Sequence, residues 1–145
     1  MLTFSEKTQG AVALGGRILL ATMFILSGIG KLAAPGGTQG YIAAAGLPFP
    51  PLAYLIAVIV ELGGGSLLLL GYRTRLMGVV LAVFALATAL LFHHDLANQG
   101  QSIHFFKNLA IAGGLLQIVA FGPGLFSLDG RRQPVAAGQP GRLGA

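Results

Sequence analysis

Arg17 and Lys31 are out of keeping with their surroundings, because both fall in a long run of apolar side chains. They are fourteen residues apart, close to four helical turns, so on a helix they lie within about 40° of one another. Ala21, Phe24, Ser27 and Gly28 share that stripe. A charge at the centre of a membrane span costs about 2.5 to 3.5 kcal/mol on insertion scales, so it must face other protein and find a partner. Glu61 is the expected partner of Arg17. It sits about 15 Å below the outer end of the second apolar run, and Arg17 about 21 Å below Lys31 on the first, a mismatch two long side chains can bridge. Gly63, Gly64 and Gly65 would let the two backbones approach. Such an Arg17–Glu61 ion pair either fixes the register of a bundle or leaves a titratable, ligand-binding carboxylate inside it.

A second polar group gathers at the opposite end of the apolar runs. His93, His94 and Asp95 close the third run, and His104, Lys107 and Asn108 open the fourth on one helical face by their i, i+3, i+4 spacing. With Lys31 at the same level, these residues frame a shallow polar mouth suited to an anionic or quinone-like headgroup. A plainer account makes the histidines interfacial residues at helix ends. No metal site is expected, since adjacent histidines diverge and no H-x-x-x-H spacing occurs. Without cysteine the chain has no disulfide, thiolate ligand or Cys nucleophile, and it carries neither G-x-S-x-G nor a Walker loop. Phe24, Phe84, Phe92, Phe105, Phe106 and Phe121 read as packing or lipid-facing residues.

The elements that must carry these residues follow from the solvent. Of the 145 residues 54% are hydrophobic and 9% charged, too few charges to cover a water-soluble domain, which averages about 25%. Spanning a hydrocarbon core takes about 20 apolar residues, and four stretches come close: 11–33, 52–70, 76–92 and 105–126. The expected fold is all-α, a four-helix membrane bundle in contact with the lipid bilayer. The third stretch is short, but Arg75 can snorkel to the headgroups. The first is too long for a signal peptide, contains Arg17 and lacks a cleavage site, so it counts as a span. In the connector 34–51, Thr38 to Ala45 should form a short interfacial helix capped by Thr38 and stopped at Gly46, with an extended exit through Pro48, Pro50 and Pro51. Gly71 to Arg75 is expected to be a tight turn, 93–104 a polar loop, and 129–145 a disordered tail without periodicity.

Lys7, Arg73, Arg75, Arg131, Arg132 and Arg142 fall on one side of such a bundle, against Lys31 and Lys107 at the edges of the other. The positive-inside rule then places both termini, including residues 1–10, in the cytoplasm. The formal charge of +5 is scattered over segment ends, which argues against nucleic-acid binding.

The runs Gly16-Arg17-Ile18-Leu19-Leu20, Ser27-Gly28-Ile29-Gly30-Lys31-Leu32, Glu61-Leu62-Gly63-Gly64-Gly65, Gly71-Tyr72-Arg73-Thr74-Arg75 and Lys107-Asn108-Leu109 together resemble the DoxX family of small bacterial membrane proteins. The resemblance covers nearly everything from Gly15 to Leu128. It implies a four-helix inner-membrane protein, a subunit of a quinone-linked oxidoreductase or a partner of a redox enzyme, with the family's polar signature on Arg17, Lys31, Glu61, Arg73, Lys107 and Asn108. No cofactor ligand is encoded, so a quinone would be borrowed and electrons would come from the partner.

Two other functions compete. Buried Glu61 suggests a proton-coupled transporter, although the charge bias fixes one orientation and Arg17 stands ready to neutralise it. The small residues Gly78, Ala82, Ala85 and Ala89 suggest a non-catalytic scaffold, with contacts within the chain or in a homo-oligomer. The topology is testable directly because the chain is cysteine-free: single cysteines placed in the tail and beside Arg73 should react with an impermeant thiol reagent from the same face of oriented vesicles, and labelling from opposite faces would refute four spans.

Overall fold

The computed structural model describes residues 4–132. Four helices in it are long and apolar enough to cross a membrane, and no strand occurs among the described residues. The first, α1, is Glu6–Ala33. It starts five residues before the apolar run because the Ser5 hydroxyl accepts from Thr8 N at 3.2 Å and caps it. At 28 residues it is roughly 42 Å long, more than a bilayer core needs.

The connector departs from expectation. Its helix, α2, is Pro35–Ala44, begun by Pro35 at a position where a missing N–H costs nothing. Thr38 lies inside α2 and donates its hydroxyl back to Ala34 O at 3.0 Å, so it is not the cap. Gly46, at φ 77°, does stop the helix. The exit is not extended through Pro50 and Pro51. Phe49 takes the left-handed region at φ 52°, and the two prolines form the first turn of the second span, α3, Pro50–Leu70. In the middle of α3, Ile59–Gly64 winds as a π-helix, between α-helical Pro50–Val58 and Gly65–Leu70.

The third span, α4, is Thr74–Phe92, and the fourth, α5, is Gln99–Phe121. The fourth was expected at 105–126 from apolarity alone. It begins earlier because the Asn98 side chain accepts from Gln101 N at 3.2 Å and starts the helix in polar sequence. It ends earlier because Gly122, at φ 85°, and Pro123 break it. The loop before it therefore shrinks to 93–98, and His104 becomes helical.

Each span packs against the next, and α1 closes the ring against α5. The core between them holds Ala21, Phe24, Leu68, Leu81, Ala82, Ala85, Ala112 and Leu115. Small residues set the spacing. A Cβ on Gly28 would lie 2.7 Å from Leu62 Cγ, and one on Gly78 would lie 2.8 Å from Val119 Cγ2. Ala82, Ala85 and Ala89 are buried in the same way, so the small-residue face of α4 is used within the chain.

At the other end of the bundle from α2, the tail expected to be disordered from Asp129 instead opens with a short helix, α6, Leu128–Arg132. Residues 133–145, the rest of that expectation, lie outside the described residues. The Asp129 carboxylate accepts from Arg73 N at 3.0 Å, Thr74 N at 2.7 Å and Thr74 Oγ1 at 2.8 Å, capping α4 from a distant part of the chain. Asp129 N in turn donates to Gly71 O at 2.8 Å. Replacing Asp129 by Ala strips the cap from α4 and should cost on the order of 1 to 3 kcal/mol. Unfolding of purified protein by rising SDS fraction in mixed micelles will measure it, and an unchanged midpoint would show that the contact contributes nothing.

Candidate functional site

The two charges of the polar stripe on α1 find separate partners, at opposite ends of the bundle. Arg17, 1% exposed, donates through Nη1 to Leu68 O at 3.3 Å and Leu69 O at 3.2 Å, and through Nη2 to Phe126 O. Leu68 and Leu69 are among the last residues of α3, whose carbonyls have no intrahelical donor. The helix also closes on itself there. Gly71, left-handed at φ 69°, donates to Leu68 O at 3.1 Å, and Tyr72 N donates to Leu67 O at 3.0 Å. Arg17 fills the space a side chain at Gly71 would need, so the turn, the arginine and the segment before α6 form one unit.

Glu61 pairs with Lys31 instead. The Lys31 ammonium lies 2.8 Å from Oε2 and 2.9 Å from Oε1 of Glu61, and the Ser27 hydroxyl donates to Oε1 at 3.0 Å. Lys31 also donates to Ser27 Oγ at 2.9 Å, closing a three-membered network on a carboxylate only 4% exposed. The expected Arg17–Glu61 pair is thus corrected, and the reason is register. Gly28 faces Leu62 and Glu61, and Gly65 faces Ala21, Phe24 and Ile25, so Arg17 meets α3 at Leu69, eight residues and about 12 Å from Glu61. Side chains on a helix also lean toward its N-terminus. That tilt carries Lys31 toward Glu61, Glu61 toward Lys31, and Arg17 away from both.

An open cavity of about 720 Å³ occupies the α2 end of the bundle. Ser27, Lys31 and Glu61 form part of its wall, and His93, His104, Lys107 and Asn108 also line it. The rest of the wall is mostly apolar and includes Phe24, Phe84 and Phe92, so the aromatic residues read as packing also shape a cavity. Tyr41 of α2 stacks on Phe92 with ring centroids 5.4 Å apart and completes one side. The His93 and His104 rings stack at 5.0 Å, Lys107 Nζ lies 3.1 Å from His104 Nδ1, and His93 Nδ1 lies 2.9 Å from Gln101 Oε1.

Of the outer cluster read from the sequence, then, five members line one cavity together with Glu61. His94 and Asp95 do not line it, and Asp95 accepts from Ala97 N at 3.2 Å within the 93–98 loop. Sequence reasoning missed Gln101 and Tyr41. The Asn98 capping signal could have found Gln101, by extending α5 upstream; nothing in the local pattern marks Tyr41 as a partner of Phe92. Arg73 and Arg75 stand at the end remote from the cavity, Arg73 as the left-handed residue before α4 at φ 47°. Arg131 lies on α6 at that same end.

The family model DoxX matches residues 12–94, a stretch that contains Arg17, Lys31, Glu61 and the Arg73 turn. The chain belongs to the DoxX family. This DoxX protein is 40% identical to inner membrane protein YqjF of Escherichia coli K12 over 124 residues, which cover 86% of this chain and 94% of that protein. It is 38% identical to inner membrane protein YphA of the same organism over 79% of this chain and 86% of YphA. CatD of Bacillus subtilis, whose name assigns it provisionally to the oxidoreductases, is 37% identical over 67 residues, 46% of this chain and 48% of CatD. No solved structure matches. With four apolar helices and these relatives, this DoxX protein is a multi-pass inner-membrane protein.

The pairing makes a quantitative statement about stability. Glu61→Gln leaves the Lys31 ammonium without its counter-charge and should destabilise by on the order of 3 kcal/mol, and Lys31→Gln should do the same. The double variant should lose clearly less than the sum, whereas Arg17→Gln combined with Glu61→Gln should be additive, because Arg17 and Glu61 share no partner. SDS-driven unfolding of the five variants reads both cycles, and coupling in the Arg17 cycle alone would contradict the geometry.

Proposed function

We propose that this DoxX protein is the membrane-embedded, ligand-holding member of a quinone-linked redox system. The observation that supports this most is the cavity. At about 720 Å³ it falls within the range of small-molecule and cofactor sites, roughly 300 to 1,000 Å³, and it joins apolar walls to a few convergent polar groups. A quinone fits that donor set. Lys107, His104 and Asn108 would hold ring oxygens at the mouth, and Phe24, Phe84 and Phe92 would pack its apolar parts. A bound quinone supplies two-electron, two-proton carrier chemistry, and the electrons reach it from a partner enzyme. What this chain does is bind, orient and shield. The name of CatD, a relative over part of the chain, points the same way.

With both termini in the cytoplasm, as six basic residues against two indicate, the cavity faces the outer leaflet. A proton-coupled transporter draws less support, because Glu61 is already neutralised by Lys31. So does a scaffold, because Gly78, Ala82, Ala85 and Ala89 are spent inside the chain.

Protein extracted gently in a mild detergent should carry co-purifying quinone at a substantial fraction of one per chain, measured by solvent extraction and chromatography. A Lys107→Ala variant should lose most of it. Quinone absent from both preparations, and no uptake when a short-chain quinone is added back, would overturn the proposal.

A further inference from the structure

The charges along the cavity wall are unevenly compensated. On one part of the wall Lys31 and Glu61 cancel, in contact at 2.8 Å and with Ser27 bonded to both. At the mouth Lys107 has no carboxylate within ion-pair reach among the described residues, and His104 is its one hydrogen-bond partner. The remaining ionisable groups on the wall are His93 and His104, whose rings stack on each other, and the phenol of Tyr41 on α2, none of them a carboxylate. Asp95, the nearest acid in sequence, does not line the cavity.

The bond between Lys107 and His104 also fixes what the mouth can offer. An ammonium has donors only, so Nδ1 of His104 must be the acceptor at 3.1 Å, and the ring is then neutral with its proton on Nε2. Lys107 keeps two further N–H groups, and His104 adds the Nε2–H. Asn108 also lines the cavity, and its amide NH2 can donate. A cluster of donors around an uncompensated positive charge, set in apolar walls that keep the local dielectric low, favours acceptors that carry negative charge.

We infer that the mouth formed by Lys107, His104 and Asn108 selects an anionic headgroup, so that the cavity's ligand is an acidic amphiphile, one with an ionised ring hydroxyl or carboxylate, in preference to a neutral compound of the same skeleton. This rests on the reading that the cavity is a ligand site and names the class it takes. The Lys31–Glu61 pair adds no net charge to the wall, so the discrimination resides at Lys107 and its neighbours.

The test uses two compounds that differ in one group: a 3-alkyl-2-hydroxy-1,4-naphthoquinone, ionised at neutral pH, and its 2-methoxy ether, which is neutral. Equilibrium binding to the full chain in phosphatidylcholine nanodiscs should favour the hydroxy compound by about tenfold, and rising salt should weaken that compound alone. Lys107→Gln should erase the preference, bringing the ratio of the two affinities to about one, with an SDS unfolding midpoint close to that of the parent chain showing the variant to be folded, and Lys107→Arg should retain the preference. Equal affinities for the two compounds, or a preference that survives Lys107→Gln, would overturn the inference and leave the cavity as a ligand site. Failure of both compounds to bind would overturn both.

Discussion

Hydrocarbon cannot solvate a backbone carbonyl or an ionised side chain, and in this chain the same few residues answer both problems. The last carbonyls of α3 are only partly satisfied by the turn that follows it. The Arg17 guanidinium binds two of them and a third from Phe126, so its charge is distributed over peptide dipoles at a helix C-terminus, where a cation is electrostatically favoured. One side chain thereby ties α1, the end of α3 and the approach to α6 into a single rigid unit. Asp129 mirrors it at the start of α4, an anion on the exposed N–H groups of that helix. The end of the bundle remote from α2 is closed by these two reciprocal caps.

The other end is built on the opposite plan. There the one buried acid is matched by a lysine on the neighbouring helix, and the spans part to leave a cavity instead of a capped turn. Satisfying charge by charge, and not by backbone, keeps polar side chains on a wall that faces open space. The result is a molecule with a sealed end and a receptive end, and every polar residue of the α1 stripe contributes to one or the other.

Much of this was legible in the residues alone. The four spans followed from the length of apolar runs, and the outer cluster from the spacing of His104, Lys107 and Asn108 and the level of Lys31. Span ends were less legible where capping outweighs apolarity, as at Ser5, Asn98 and Gly122. The pairing of Arg17 with Glu61 failed for a physical reason that the sequence also contains. Depth was counted from the ends of apolar runs, but the true level is set by which glycines let helices touch, and side chains tilt toward the N-terminus of their own helix. Both corrections move Lys31, not Arg17, onto Glu61. The role of Asp129 was illegible, because a cap supplied from 55 residues away leaves no mark on the helix it terminates.

The π-helical turn at Ile59–Gly64 divides α3 into two segments whose angular phases are set separately. Each such turn holds more residues per revolution than the α-helix on either side of it, so the outer portion, which carries Ala53, Ile56 and Ala57 on the cavity wall, is rotated relative to the inner portion, which buries Leu68. A continuous α-helix would have to serve cavity and core with one periodicity. Here the outer segment of α3 presents its residues to the chamber and the inner segment presents its own to the core, each with its own periodicity.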